Sequence, residues 1–156
     1  MLPQVKSALL TTTGLLLSTA VLATGCGGSD TMRVTLTDDG CAYEGDTMPA
    51  PGRFDIDFEN KTSRFVIFDL SGLAPGKTVE DVRRTIERNG SNDGLFVRVA
   101  GIARTGPQET NVMPVNESGG RWVIHCWVHN SADGLESDHL PPPEALYVVP
   151  VELVVG

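Results

Sequence analysis

The sequence predicts an all-β sandwich with one short helix, and three observations point to this fold class. Several short segments alternate apolar and polar residues, as strands with one buried face do. Clusters of Gly, Pro, Asp and Asn separate these segments, as turns require. Apolar residues at helical spacing stand out only around residues 78–88. Short strands with a single helix favour two packed sheets over a helical or α/β domain.

Six strands are predicted from this alternation. The first covers residues 32–37 and ends at the turn 38–40, and the second covers 54–58 after a Pro- and Gly-rich turn. Residues 65–70 are almost continuously apolar, which indicates a more deeply buried strand. Three later strands cover 96–103, 122–128 and 146–155. Pro150 places part of the last strand at an edge or a bulge, because proline cannot donate to a sheet.

The helix is predicted from its capping and its apolar face. Thr78 can cap a helix whose third position is Asp81, a variant of the capping box. The apolar face and the stop signal are formed by Val79, Val82, Ile86, Asn89 and Gly90. A basic side carries Arg83, Arg84 and Arg88, for which we expect solvent exposure and pairing with nearby acids instead of a docking role.

The N-terminal segment has the pattern of a secretory signal. Lys6 precedes an apolar stretch that is too short and too rich in hydroxyl groups to be a spanning helix, and no acidic residue occurs before Asp30. Ala23, Thr24 and Gly25 come directly before Cys26 and resemble the lipobox read by lipoprotein signal peptidase, although that motif usually carries Leu where this chain has Ala23. We therefore predict a signal peptide over residues 1–25, acylation of Cys26 with fatty acids such as palmitate, a tether over 26–31 and one domain over 32–156.

Removing the signal peptide leaves 131 residues, which suffice for one ordinary core. Lys6 is removed with the signal peptide, so the mature chain has 11 basic and 20 acidic residues and a net charge of −9. An acidic surface argues against nucleic acid as a partner and against an electrostatic grip on anionic lipid. The expected location is the extracytoplasmic face of the cell membrane, held by acyl chains alone. The expected partners are the membrane, through that anchor, and an envelope protein or a small ligand.

The order of elements and a few short motifs carry a family resemblance. They are the run 38–43, which reads Asp-Asp-Gly-Cys-Ala-Tyr, the turn at Asn60, the helical insertion, and the late run 120–126, which reads Gly-Arg-Trp-Val-Ile-His-Cys. Together they resemble the cupredoxin-like domains of bacterial lipoproteins over nearly the whole mature chain. The resemblance implies a Greek-key β-sandwich. In copper-binding members, a late strand supplies Cys and His ligands and an earlier strand supplies a second His.

Copper binding is the alternative that the resemblance raises. Cys126 and His129 have the Cys-x-x-His spacing, with His125 beside them and His139 beyond. A type 1 site needs two imidazoles and a thiolate. The segment 64–70, where the early ligand would lie, contains no His, and no Met follows Cys126. We therefore expect no copper and no other cofactor, with a site of His125, Cys126, His129 and His139 as the alternative in a copper-binding or electron-transfer protein.

A disulfide is the competing use of Cys126. Once Cys26 is acylated, Cys41 and Cys126 remain as a pair in a compartment where disulfides persist. A bridge between them would close a loop of 85 residues and would remove the thiolate that copper needs. No nucleophile elbow, phosphate loop or helical His-Glu-x-x-His motif occurs, so we assign no catalytic residue and expect a binding or interaction domain instead of an enzyme.

Two further surface features follow from the strand pattern. The acids Asp38, Asp39, Asp55, Asp57 and Glu59 are expected at the surface and not in a calcium site. Trp122 and Trp127 are five positions apart, so they are predicted on opposite faces of one strand, with one of them in the core.

Overall fold

The protein is described by a computed structural model over residues 31–88, 93–132 and 143–156. The predicted signal peptide, Cys26, the tether up to residue 30, the helix stop at Asn89 and Gly90, and His139 lie outside these described residues. Within them the chain forms one helix and eight strands in two sheets. None of the helical residues described forms a stretch long and apolar enough to cross a membrane.

Each sheet has four strands. Sheet A has the order β2-β1-β3-β6, with β1 parallel to β3 and the other neighbours antiparallel. Its strands are β1 (Met32–Thr37), β2 (Gly40–Glu44), β3 (Gly52–Asn60) and β6 (Thr110–Glu117). Sheet B has the antiparallel order β5-β4-β7-β8. Its strands are β4 (Phe65–Leu73), β5 (Phe96–Thr105), β7 (Gly120–His129) and β8 (Ala145–Val155), with α1 (Val79–Glu87) between β4 and β5.

The main core lies between the two sheets. Alternation along β1 turns Val34 and Leu36 inward at no measurable exposure, as the sequence predicts. Phe58 of sheet A and Phe68 of sheet B meet with ring centroids 4.5 Å apart. Trp122 is buried in this core while Trp127 is partly exposed on the other face of β7. The predicted all-β sandwich with one short helix is therefore confirmed.

A second, smaller core covers the outer face of sheet B. Val82 of α1 packs with Leu73, Leu95 and Val123. Thr78 and Asp81 form the predicted reciprocal capping box at the start of α1. The sequence of β4 is apolar almost throughout, which is typical of a strand buried on both faces. A strand with one solvated face would alternate apolar and polar residues.

The basic side of the helix is paired as predicted at two of its three positions. Arg83 contacts Glu80 at 3.0 Å and Arg84 contacts Asp81 at 2.7 Å. Such exposed pairs on one helix each contribute only a few tenths of a kcal/mol, about 0.3–0.5. They mark a solvated face.

The ends of the sandwich differ in what they carry. We call the end with the start of β1, the loop 45–51, the turn 118–119 and the end of β8 the lower end, because the registers bring these segments together. The β1–β2 turn with Asp38 and Asp39 lies at the opposite, upper end. The edge position of β8 and a register change across residues 149–151 confirm the prediction made from Pro150.

Candidate functional site

The predicted disulfide is present in the core. Cys41 of β2 bonds to Cys126 of β7, with the two Cα atoms 6.8 Å apart. Cys126 is fully buried and Cys41 is partly buried. Since β2 belongs to sheet A and β7 to sheet B, the bond joins the two sheets through the main core.

A buried polar cluster lies directly behind the disulfide, on the outer face of sheet B. Successive residues of a strand point to opposite faces, so His125 faces away from the core that Cys126 enters. Asp69 of β4 lies opposite His125 in the register. The His125 Nδ1 atom is 3.0 Å from Asp69 Oδ1, and the Trp127 indole N–H donates to Asp69 Oδ2 at 2.7 Å. The Ser71 hydroxyl donates to Asp69 Oδ1 at 2.9 Å.

This cluster is organised around the carboxylate. Three donors converge on Asp69, which satisfies a group that would otherwise be costly to bury. The ring of Phe96 covers His125 in an edge-on contact with centroids 4.9 Å apart. With Nδ1–H donated to Asp69, Nε2 is the ring nitrogen left for another partner. Nε2 is buried and has no hydrogen-bond partner.

The Asp69–His125 pair differs from a hydrolase triad. In such a triad, the serine hydroxyl lies at the imidazole nitrogen opposite the carboxylate. Here Ser71 donates to Asp69 and not to His125 Nε2. The described geometry therefore orients an imidazole without placing a nucleophile at it, and it lends no support to an acyl-transfer site.

His129 lies on the same outer face as His125. Four residues along a strand separate their Cα atoms by about 13 Å, so the two rings do not converge. His129 is buried opposite Phe65, and this burial lowers the pKa of its imidazole, while Glu144 acts in the opposite direction. Its Nε2 atom has no hydrogen-bond partner.

The donors proposed from the sequence for copper are thus separated in the described residues. Cys126 is in a disulfide within the core, His125 and His129 face away from it, and His139 lies outside the described residues. No group of three or more His, Cys, Asp or Glu side chains that could hold a metal ion occurs in the part of the chain described. In this arrangement the described residues offer no thiolate to a type 1 copper ion, so the described members of this set do not fit that group.

A shallow recess of about 310 Å³ opens on the outer face of sheet A. Its lining mixes charged, amide and apolar groups, among them Arg33, Asp57, Glu59, Asn111 and Val112. Arg33 lies 3.8 Å from Asp57 in an exposed ion pair. The five acids predicted at the surface are all exposed or partly exposed, as expected for this face and the β1–β2 turn.

The sequence analysis singled out His125, and it named Trp127 only for its face of the strand. It did not identify Asp69 and Ser71. A signal for Asp69 was present, because it is the one charged residue in the nine-residue strand Phe65–Leu73. A carboxylate in a strand buried on both faces must be paired or hydrogen-bonded. Which residue pairs with it depends on the register between β4 and β7, and the sequence does not specify that register.

Comparisons with known proteins add one distant likeness. The chain is similar to the solved structure of Na-dithionite reduced auracyanin from the photosynthetic bacterium Roseiflexus castenholzii, with 18% sequence identity and a TM-score of 0.36. The match covers 64% of this chain and 86% of that chain. No protein-family model matches the chain, and no curated protein matches it. The description of the fold therefore rests on the sheet topology itself.

Proposed function

We propose that the protein is an exported lipoprotein that holds a copper-free, cupredoxin-like domain at the outer face of the cytoplasmic membrane. The domain acts there by binding another envelope component. The observation that carries this proposal is the Cys41–Cys126 disulfide in the core. This bond is relevant to three questions: the compartment in which the protein folds, the modification of Cys26, and the binding of copper.

The disulfide supports export and acylation together. Structural disulfides persist in oxidising compartments and are rare in the cytosol. The chain has three cysteines, so the bond leaves Cys26 as the third. Cys26 follows the small residues of a signal-like segment, and acylation would protect a thiol that is otherwise reactive in such a compartment.

The topology supports a cupredoxin-like domain. Two four-stranded sheets with a parallel β1–β3 pair enclose one core, and β7 carries the late motif that ends in Cys126. The bond to Cys41 occupies the sulfur that a blue copper site would need. A binding role agrees with the mixed lining of the recess on sheet A and with an Asp69–His125 pair that has no nucleophile beside it.

Acylation is tested by intact mass and membrane fractionation of the wild type and of Cys26→Ser. We expect the wild type to be cleaved, to carry fatty acid and to sediment with membranes. The variant should lack the acyl mass and appear in the soluble fraction. An unmodified wild type that keeps residues 1–25 would contradict the proposal.

Copper is tested by titrating the tag-free domain with Cu(II), alongside Cys41→Ser. We expect no intense visible charge-transfer band in the wild type, because that band requires a Cys126 thiolate. A strong band near stoichiometric copper in the wild type would contradict the proposal and would favour electron transfer. A band in the variant alone would show that the disulfide keeps copper out.

A further inference from the structure

We propose that the lower end of the sandwich lies against the lipid bilayer and that Met48 inserts into the membrane interface. This inference rests on the proposed acyl anchor and deepens it, since it assigns the domain an orientation and a second membrane contact. It replaces the expectation that acyl chains alone reach the membrane. The occupant of this surface is lipid, and the argument starts from where the chain enters the domain.

The loop 45–51 lies directly beside the start of β1. A Cβ atom built on Gly45 would come within 2.9 Å of Met32 Cα and 3.0 Å of the Thr31 carbonyl oxygen. Cys26 precedes Met32 by six positions, and six residues span at most about 20 Å even when fully extended. An acyl anchor on Cys26 therefore keeps the loop within that distance of the bilayer.

Hydrogen bonds fix the loop that carries Met48. The Met48 backbone N–H donates to Asp46 Oδ1 at 2.8 Å, and the Tyr43 hydroxyl donates to the Asp46 carbonyl. On the other side, the Val154 N–H of β8 donates to the Thr47 carbonyl at 2.8 Å. The loop is thus fixed to both β2 and β8. Met48 nevertheless remains 70% exposed, the largest exposure among the large apolar residues described.

The surface around Met48 suits an apolar contact and not an ionic one. Val154, bonded to the residue before Met48, is itself 38% exposed. The Asp46 carboxylate accepts from the Met48 N–H, and a negative group does not attract anionic headgroups. In this orientation the exposed Asp38 and Asp39 of the upper end point away from the membrane. The contact should therefore be insensitive to salt, since screening acts on charges.

The test uses the full acylated protein in phosphatidylcholine vesicles. Met48→Cys introduces the one reactive thiol, because Cys26 carries lipid and the other two cysteines are bonded. It is labelled with an environment-sensitive fluorophore and exposed to vesicles that contain nitroxide-labelled lipid. The matched control is Val112→Cys, at a position of β6 that is 52% exposed. Val112 pairs with Asp57 of β3 and lies five residues from Glu117, the lower end of β6.

We expect lipid quenching to be several-fold stronger at position 48 than at position 112 and unchanged by high salt or by added anionic lipid. Equal quenching at the two positions would overturn the inference. Shielding of position 48 from an aqueous quencher without lipid quenching would also overturn it, because a protein would then cover the loop.

A second pair of variants excludes insertion driven by the probe itself. With the label on Val154→Cys, the added change Met48→Asp should reduce lipid quenching several-fold, whereas Met48→Leu should preserve it. No difference between the two would overturn the role of Met48. Intact mass distinguishes the two proposals: protein without acyl chains refutes the proposed function, while acylated, membrane-bound protein with equal quenching refutes this inference alone.

Discussion

Asp69 shows at the scale of one residue how a polar group is accommodated in a strand buried on both faces. A buried carboxylate without partners costs several kcal/mol, whereas one that accepts charge-assisted hydrogen bonds can be neutral or favourable. Asp69 accepts from Ser71, from Trp127 and, across the strand pair, from His125. These four side chains therefore form one unit that links β4 to β7 on the outer face of sheet B.

We predict that Asp69→Asn lowers the free energy of unfolding by about 2–4 kcal/mol, because an amide has one acceptor oxygen and turns N–H groups toward the buried donors. Urea denaturation of the domain measures the change. Asp55→Asn is the control, since Asp55 is exposed on sheet A and should change stability by less than about 0.5 kcal/mol. Equal effects of the two substitutions would show that the hydrogen bonds to Asp69 add no stability.

We predict that His129 makes the free energy of unfolding depend on pH. Burial lowers the pKa of His129 below its ordinary value of 6.5, so near and below that pH the unfolded chain binds a proton that the folded chain does not. The free energy of unfolding should therefore fall as the pH falls through 6.5. His129→Leu removes the titrating group and should flatten this slope between about pH 7.5 and about pH 5.5, as measured by urea midpoints. An unchanged slope would show that groups other than His129 cause the pH dependence of stability.

At the scale of elements, six strands were predictable and the two edge strands of sheet A were not. The alternation of β1 and β3 and the apolar run of β4 each report a core face directly. β2 has five residues and none of them fully buried, and β6 combines Pro114 with Asn residues typical of turns. Both are strands because a neighbour supplies hydrogen bonds, β1 for β2 and β3 for β6. In β2 such tertiary support leaves no periodic signal in the sequence. In β6 the Pro and Asn residues obscure the alternation that buries Met113 and Val115.

The edge strands also share features that discourage pairing with other chains. β6 contains Pro114, and β5 changes register twice against β4. The hydrogen bond from Val154 to Thr47 occupies part of the outer edge of β8. Prolines, bulges and covering loops each interrupt the row of free N–H and C=O groups that an edge strand would present.

At the scale of the whole molecule, the disulfide is a covalent cross-link between the two sheets, added to the backbone connections that join them. The pairing could be predicted by counting cysteines once Cys26 is set aside, whereas the separation of His125 from Cys126 could not, because it requires knowing which face of β7 meets the core. The bond closes a loop between residues 85 positions apart. A loop of that size restricts the unfolded chain strongly.

We predict that Cys41→Ser lowers the free energy of unfolding by about 2–5 kcal/mol and exposes Cys126 to thiol reagents only on unfolding, since Cys126 is fully buried. Thermal and urea unfolding measure the first effect, and thiol titration with and without denaturant measures the second. Ala42→Ser is the control at the exposed neighbouring position. A variant as stable as the wild type would mean that the disulfide adds nothing to the packing and the backbone connections between the sheets.

The position of this bond also sets an order of events for a chain that crosses a membrane from its N-terminus. Every strand of sheet A has emerged once residue 117 is out, but Cys126 follows later, within the penultimate strand of sheet B. Before Cys126 has emerged, Cys26 is the other thiol that Cys41 can reach. A bond between Cys26 and Cys41 would tie β2 to the N-terminal end of the domain. Three cysteines allow three different disulfides. Acylation of Cys26 would exclude the two that involve Cys26 and leave only Cys41–Cys126. The lipid would then favour formation of the correct disulfide, in addition to anchoring the protein.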